Sequence, residues 1–261
     1  MGKRMADGDG RGDRSDLWLV SGALATALLC GCGPRPVARD VAPRLVEGTA
    51  VPGRWTVIDA ETIAFAGAIS PATWPQYQAV ATRGLRRVIV NSGGGDVAAA
   101  IRIADDFRVR GIELVVDGYC LSSCANYWAL AAPRVRLSDG VVGFHGNLSG
   151  CVDVHGGLHR YVMKDLPRDA SPERIADVTA QVEAALRLEA GFFGQNGVAA
   201  APPTAYCRDD KGLVPGRVFS FIAPRTDHLK ALGVRLEAGS RQSAGRMAEF
   251  NARFRNPIAG G

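Results

Sequence analysis

Three stretches of this 261-residue chain carry side chains and backbone able to act on a carbonyl group. Ser122 and Ser123 stand in the string Cys120-Leu121-Ser122-Ser123-Cys124. His145 closes the apolar run Val141-Val142-Gly143-Phe144, and Gly93-Gly94-Gly95 follows Val88-Ile89-Val90-Asn91-Ser92. A serine hydroxyl becomes a useful nucleophile once a base removes its proton, and histidine is the usual base near neutral pH. Consecutive glycines let backbone N–H groups come close to a ligand and face a developing oxyanion. Other chemistries fit less well. No Gly-Lys-Ser/Thr follows the triplet and no Gly-x-Gly-x-x-Gly is present, which argues against a phosphate or dinucleotide grip. The serines are not in a Gly-x-Ser-x-Gly elbow, and either could simply cap a helix.

These groups need elements to bring them together. Arg87 to Asn91 reads as a buried strand, and Asp96 opens a helix with the apolar stripe Val97, Ile101, Ala104 and Phe107. Residues 112–117 form a second strand, which feeds a helix from about Ser123 to Ala132 that stops at Pro133. Val141–Phe144 is a third strand. Strand, helix, strand, helix, strand implies parallel pairing with right-handed crossovers. Each strand then delivers one chemical group at its C-terminal end, where open α/β sheets place their sites. Earlier, residues 55–58 and 62–67 read as strands and 72–82 as a helix. Residues 146–170 read as irregular. Ser171 caps a long helix with Pro172 at its first position. A late strand is expected at 218–222, a short helix at 226–232 and a loose tail after about Gly239.

The ordered set Asn91-Ser92-Gly93-Gly94-Gly95-Asp96-Val97, Gly118-Tyr119-Cys120-Leu121-Ser122 and His145 resembles the Clp protease proteolytic subunit and the wider Clp/crotonase superfamily. Glu61 to Ile69 also looks like that family's early strand and turn. The resemblance implies an α/β spiral of ββα units with a mostly parallel sheet. It implies a nucleophile four residues after Gly118, which is Ser122, with a one-residue shift selecting Ser123. It further implies His145 as base, 23 residues beyond Ser122, and Gly94 and Gly95 as the oxyanion hole. Gly93 stands where the family has proline. The third triad member has no motif match; Asp177, Asp209 and Asp210 are candidates, and a Ser-His dyad is the alternative. The Cys-Leu-Ser-Ser-Cys-Ala-Asn string is similar to exported Clp-like bacterial proteins.

The N-terminus reads as an address. Residues 17–29 form an apolar run too short to span a bilayer and of signal-peptide length. It closes on Leu29-Cys30-Gly31-Cys32, which resembles a bacterial lipobox with Cys32 as the lipidated residue. Residues 33–53, with four prolines, read as a tether. The expected organisation is thus a signal segment at 1–32, a linker at 33–53, the α/β domain at 54–238 and a flexible tail at 239–261. Export puts Cys120, Cys124, Cys151 and Cys207 in an oxidising compartment, where up to two disulfides form. Their pairing is open, and a bridge from Cys120 or Cys124 would brace the serine turn. A metal site is disfavoured by spacing, with His155 and His159 read as surface residues. No cofactor is expected.

A net charge of +5 spread over scattered arginines gives no nucleic-acid face. The expected partners are a peptide or protein substrate, a membrane met through the lipid, and a second copy of the chain in a homo-oligomer. The expected location is the periplasmic side of a bacterial envelope. Three functions compete: an anchored serine hydrolase of peptidase type, a catalytically silent binding or structural module of the envelope, and a crotonase-type acyl-CoA enzyme. Export argues against the last, because CoA is cytosolic.

Overall fold

A computed structural model describes residues 51–196 and 221–254. Its centre is a five-stranded sheet in the order β1-β2-β3-β4-β5. The strands are β1 (Arg54–Val57), β2 (Thr62–Ile69), β3 (Arg87–Gly95), β4 (Glu113–Leu121) and β5 (Val135–Gly143). β1 runs antiparallel to β2, and β2 through β5 pair in parallel. The fold class is therefore the mostly parallel α/β arrangement expected from the strand–helix alternation. The crossovers are α1 (Thr73–Val80), α2 (Val97–Arg110) and a π-helix, Cys124–Ala129.

The parallel strands are apolar almost throughout because both faces are covered. Val88, Val90, Leu114, Val116 and Val142 are all fully buried. α2 lays Ile101, Ala104 and Phe107 on the sheet, and Asp96 caps it by accepting from Ala99 N–H at 2.7 Å. The π-helix is buried on every side, as its composition requires. Trp128 packs against Trp55, Phe65 and Phe107, and its indole N–H donates to the Ala100 carbonyl at 3.0 Å.

The structure differs from the sequence expectation in several places. β3 does not stop at Asn91 but continues through the glycines, with Gly94 opposite Ala68 and Gly95 opposite Ile69. A Cβ on Gly95 would lie 2.0 Å from the Ile69 carbonyl oxygen, and one on Gly94 would lie 2.6 Å from Ser122 Cβ. Only glycine lets the strand end wedge between β2 and the serine turn. β5 begins at Val135, six residues before the expected start. Residues 146–170 are not irregular: they hold α3 (Leu148–Val154) and α4 (Leu158–Met163). α5 (Pro172–Asn196) and α6 (Thr226–Ala231) lie close to their expected positions. Within the expected tail, Ala244–Phe254 forms α7 and buries Phe250 beside Tyr119, Leu121, Val141 and Phe221, while residues 255–261 lie outside the described residues. Of the expected late strand, residues 218–220 lie outside the described residues, and Ile222 makes an isolated bridge to Phe144. No helix among the described residues is long and apolar enough to cross a membrane.

Candidate functional site

The C-terminal ends of β3, β4 and β5 meet at one cavity of about 410 Å³. Its wall includes Gly93, Gly94 and Gly95 from β3, Ser122 and Ser123 after β4, and His145 after β5. Ser122 Oγ lies 2.6 Å from His145 Nε2, within hydrogen-bonding distance. Ser123 Oγ points elsewhere and donates to the Gly95 carbonyl at 2.6 Å. Ser122 thus faces the imidazole, and Ser123 fastens the turn to the glycine strand.

The turn that presents Ser122 is constrained on all sides. Ser122 is the only non-glycine among the described residues with a positive φ, 54°. Such left-handed backbone disfavours an L-residue by about 1–2 kcal/mol, so its surroundings must hold it there. Its N–H donates to the Gly143 carbonyl at 3.1 Å, and its carbonyl accepts from Asn126 N–H at 2.8 Å. A disulfide joins Cys120 to Cys124 across the turn, and both cysteines are fully buried. Cys151 is also disulfide-bonded, while Cys30, Cys32 and Cys207 lie outside the described residues.

The glycine and asparagine positions in the motif have a steric reason. Asn91 Oδ1 accepts from Tyr119 N–H at 3.0 Å, where the β3–β4 register shifts. A Cβ on Gly118 would lie 2.7 Å from Asn91 Cγ, so glycine is what admits the amide. Ser92 Oγ donates to the Gly67 carbonyl at 2.7 Å and accepts from Gly94 N–H at 3.1 Å. The Gly94 N–H thus has an ordinary hydrogen bond to a neutral acceptor at this turn.

His145 is held in its neutral form. Burial first, and the nearby positive charge of Lys164 next, bring its pKa down to about 4 from the usual 6.5 or so. Its ring meets Phe221 edge to face, with centroids 5.0 Å apart. A neutral imidazole at neutral pH can accept the hydroxyl proton. Of the candidate acids, Asp177 lies exposed on α5, and Asp209 and Asp210 lie outside the described residues.

Several shaping residues escape sequence reasoning. Asn126 Nδ2 donates to the Gly146 carbonyl at 2.7 Å, tying the π-helix to the segment after His145. The buried carboxylate of Glu189 on α5 reaches the same segment. Both residues look ordinary in the sequence, one as a polar helix residue and the other as a helix-surface glutamate. The other three histidines do not line the cavity: the His155 ring is tilted against Tyr161, His159 is exposed on α4, and His228 lies on α6. No group of three or more histidine, cysteine or acidic side chains among the described residues could hold a metal ion.

No family model and no curated protein matches the sequence. Solved structures do match its shape at a distance. One is a variant of a membrane-bound stomatin-specific protease, 1510-N, at 13% identity and TM-score 0.34, covering 74% of this chain and 88% of that one. A methylmalonyl CoA decarboxylase matches at 10% identity and TM-score 0.29, covering 78% and 90%. An enoyl-CoA hydratase from Polaromonas sp. matches at 15% identity and TM-score 0.25, covering 59% and 80%. The fold that this chain itself displays is a mostly parallel sheet whose consecutive strand ends hold the glycine turn, the serine and the histidine. The reading of the site rests on its own geometry.

Proposed function

We propose that this chain is a serine hydrolase of peptidase type. The observation that carries the reading is the 2.6 Å contact between Ser122 Oγ and His145 Nε2 inside a cavity large enough for a side chain and a carbonyl. Neutral His145 takes the Ser122 proton at Nε2 as Oγ attacks the substrate carbonyl. Backbone N–H groups of the Gly94–Gly95 turn receive the oxyanion. His145 then returns its proton to the leaving amine, and an acyl group remains on Ser122. Water, deprotonated by the same imidazole, releases the acid and restores the hydroxyl. Much of the cavity wall is apolar, with Val97, Leu148 and Phe221 among its residues, which suits a substrate carrying an apolar side chain.

The export part of the proposal is supported by the lipobox-like Leu29-Cys30-Gly31-Cys32 and by the disulfide chemistry of Cys120, Cys124 and Cys151, which belongs in an oxidising compartment. In this reading the chain is anchored through lipidated Cys32 on the periplasmic side of the envelope.

A fluorophosphonate probe followed by peptide mapping tests the catalytic reading. The adduct is expected on Ser122, absent in Ser122→Ala and retained in Ser123→Ala. A folded protein that stays unlabelled while a control hydrolase reacts refutes it and leaves the silent binding module. Palmitate incorporation in cells, expected to vanish in Cys32→Ser, tests the anchor separately.

A further inference from the structure

Glu189 is a buried carboxylate, 1% exposed, that the proposed chemistry leaves unused. A charge removed from water persists only where hydrogen bonds replace its hydration. Glu189 receives three. The Tyr127 hydroxyl donates to Oε1 at 2.5 Å, Leu148 N–H donates to Oε1 at 2.9 Å, and Ser149 N–H donates to Oε2 at 2.8 Å. Burial and the adjoining carboxylate push the Tyr127 hydroxyl pKa well up, so it remains a donor.

The three donors come from the two segments that carry the reacting pair. Tyr127 is on the π-helix that begins two residues after Ser122. Leu148 and Ser149 open α3, three and four residues after His145, where first-turn N–H groups have no acceptor within their own helix. Asn126 makes a parallel tie to the Gly146 carbonyl. Tyr127 and Leu148 both line the cavity. An apolar residue in place of Glu189 would leave the phenol and two amide N–H groups buried without an acceptor. What a carboxylate adds is direction, because its two oxygens fix a phenol and two amides at set distances.

We propose that Glu189 is a positioning residue for the Ser122–His145 pair, acting as a latch that holds the segment from His145 to Ser149 against the π-helix. Its activity readout rests on the hydrolase reading, but its geometry does not.

The test uses the full chain with two variants. Glu189→Gln keeps one oxygen for Tyr127 and Leu148 but turns an amide NH₂ toward Ser149 N–H, donor against donor. Tyr127→Phe removes a single donor. Two quantities are measured on folded protein: the rate constant for Ser122 phosphonylation, and the titration midpoint of the His145 ring by NMR. Lys164 and Asp165, the charged groups that share the cavity wall with His145, are unchanged in both variants.

Glu189→Gln is expected to lower the rate constant about tenfold or more, as small misplacements of reacting groups do, with Tyr127→Phe intermediate. Both are expected to raise the His145 midpoint as the segment opens to water. A merely structural role would lower thermal stability without moving either quantity. The latch is overturned if Glu189→Gln labels within about twofold of the native rate with an unmoved midpoint. If that variant fails to fold, Tyr127→Phe is held to the same criterion. If the native protein does not label, the hydrolase reading falls and the His145 midpoint alone decides: a shift supports the latch, and no shift overturns it.

Discussion

Ser122 combines two demands that oppose each other, a left-handed backbone and a β-carbon bearing the hydroxyl. Glycine would satisfy the first and alanine neither. Ser122→Gly and Ser122→Ala both lose the hydroxyl, but only the glycine variant relieves the positive φ. Ser122→Gly is therefore expected to be the more stable of the two by about 1 kcal/mol in urea unfolding. Equal stabilities would show that the turn is not strained. In the proposed hydrolase, His145 sets the pH response. A lowered pKa means that the imidazole stays unprotonated, and able to accept the Ser122 proton, down to about pH 4. The acid limb of the phosphonylation rate is expected near that value and not near the ordinary histidine value of about 6.5. A limb at the ordinary value would mean that the ring is solvated.

The serine turn is an element joined to others at four points: Gly143 through a backbone hydrogen bond, Gly95 through Ser123, Gly94 through close packing, and its own disulfide. The Cys120–Cys124 bridge closes a short loop, so its effect on the unfolded chain is modest, roughly 2 kcal/mol by loop-closure entropy. Replacing both cysteines by alanine is expected to cost about that much in a denaturant titration. It should also slow phosphonylation of the folded protein, because Ser122 is freer to leave its left-handed conformation. An unchanged rate in a folded double variant would assign the bridge to stability alone.

At the scale of the whole molecule, α7 packs against β5, the strand that leads to His145. Phe250 on α7 is fully buried, and a Cβ on Gly143 would lie 3.2 Å from its ring. It belongs to the small cluster with Tyr119, Leu121 and Phe221, whose members flank the serine turn and the His145 ring. Phe250→Ala is expected to destabilise by about 3–5 kcal/mol, the usual cost of emptying an aromatic core position. A loss under about 1 kcal/mol would show that α7 packs only loosely. The larger cluster around Trp55, Tyr77, Phe107 and Trp128 also reaches the site, through Cys120, Cys124 and Phe144.

The sequence alone determined the parallel strands, because β-branched runs bounded by glycine and helix caps leave few other readings. It also determined that a serine, a histidine and a glycine turn would lie at consecutive strand ends. It did not reveal α3, α4 or α7, which are short or sparse in apolar residues and become ordered by packing against neighbours distant in the chain. Nor could spacing choose between Ser122 and Ser123, since a shift of one residue preserves every motif distance approximately. That choice belongs to the tertiary structure. β4 ends at Leu121, the next residue takes a left-handed turn for which the missing Cβ of Gly94 leaves room, and the side chain emerging there is the one that meets His145. Glu189 makes the same point, because a glutamate on a long helix acquires a buried role only when the fold brings two foreign amides to it.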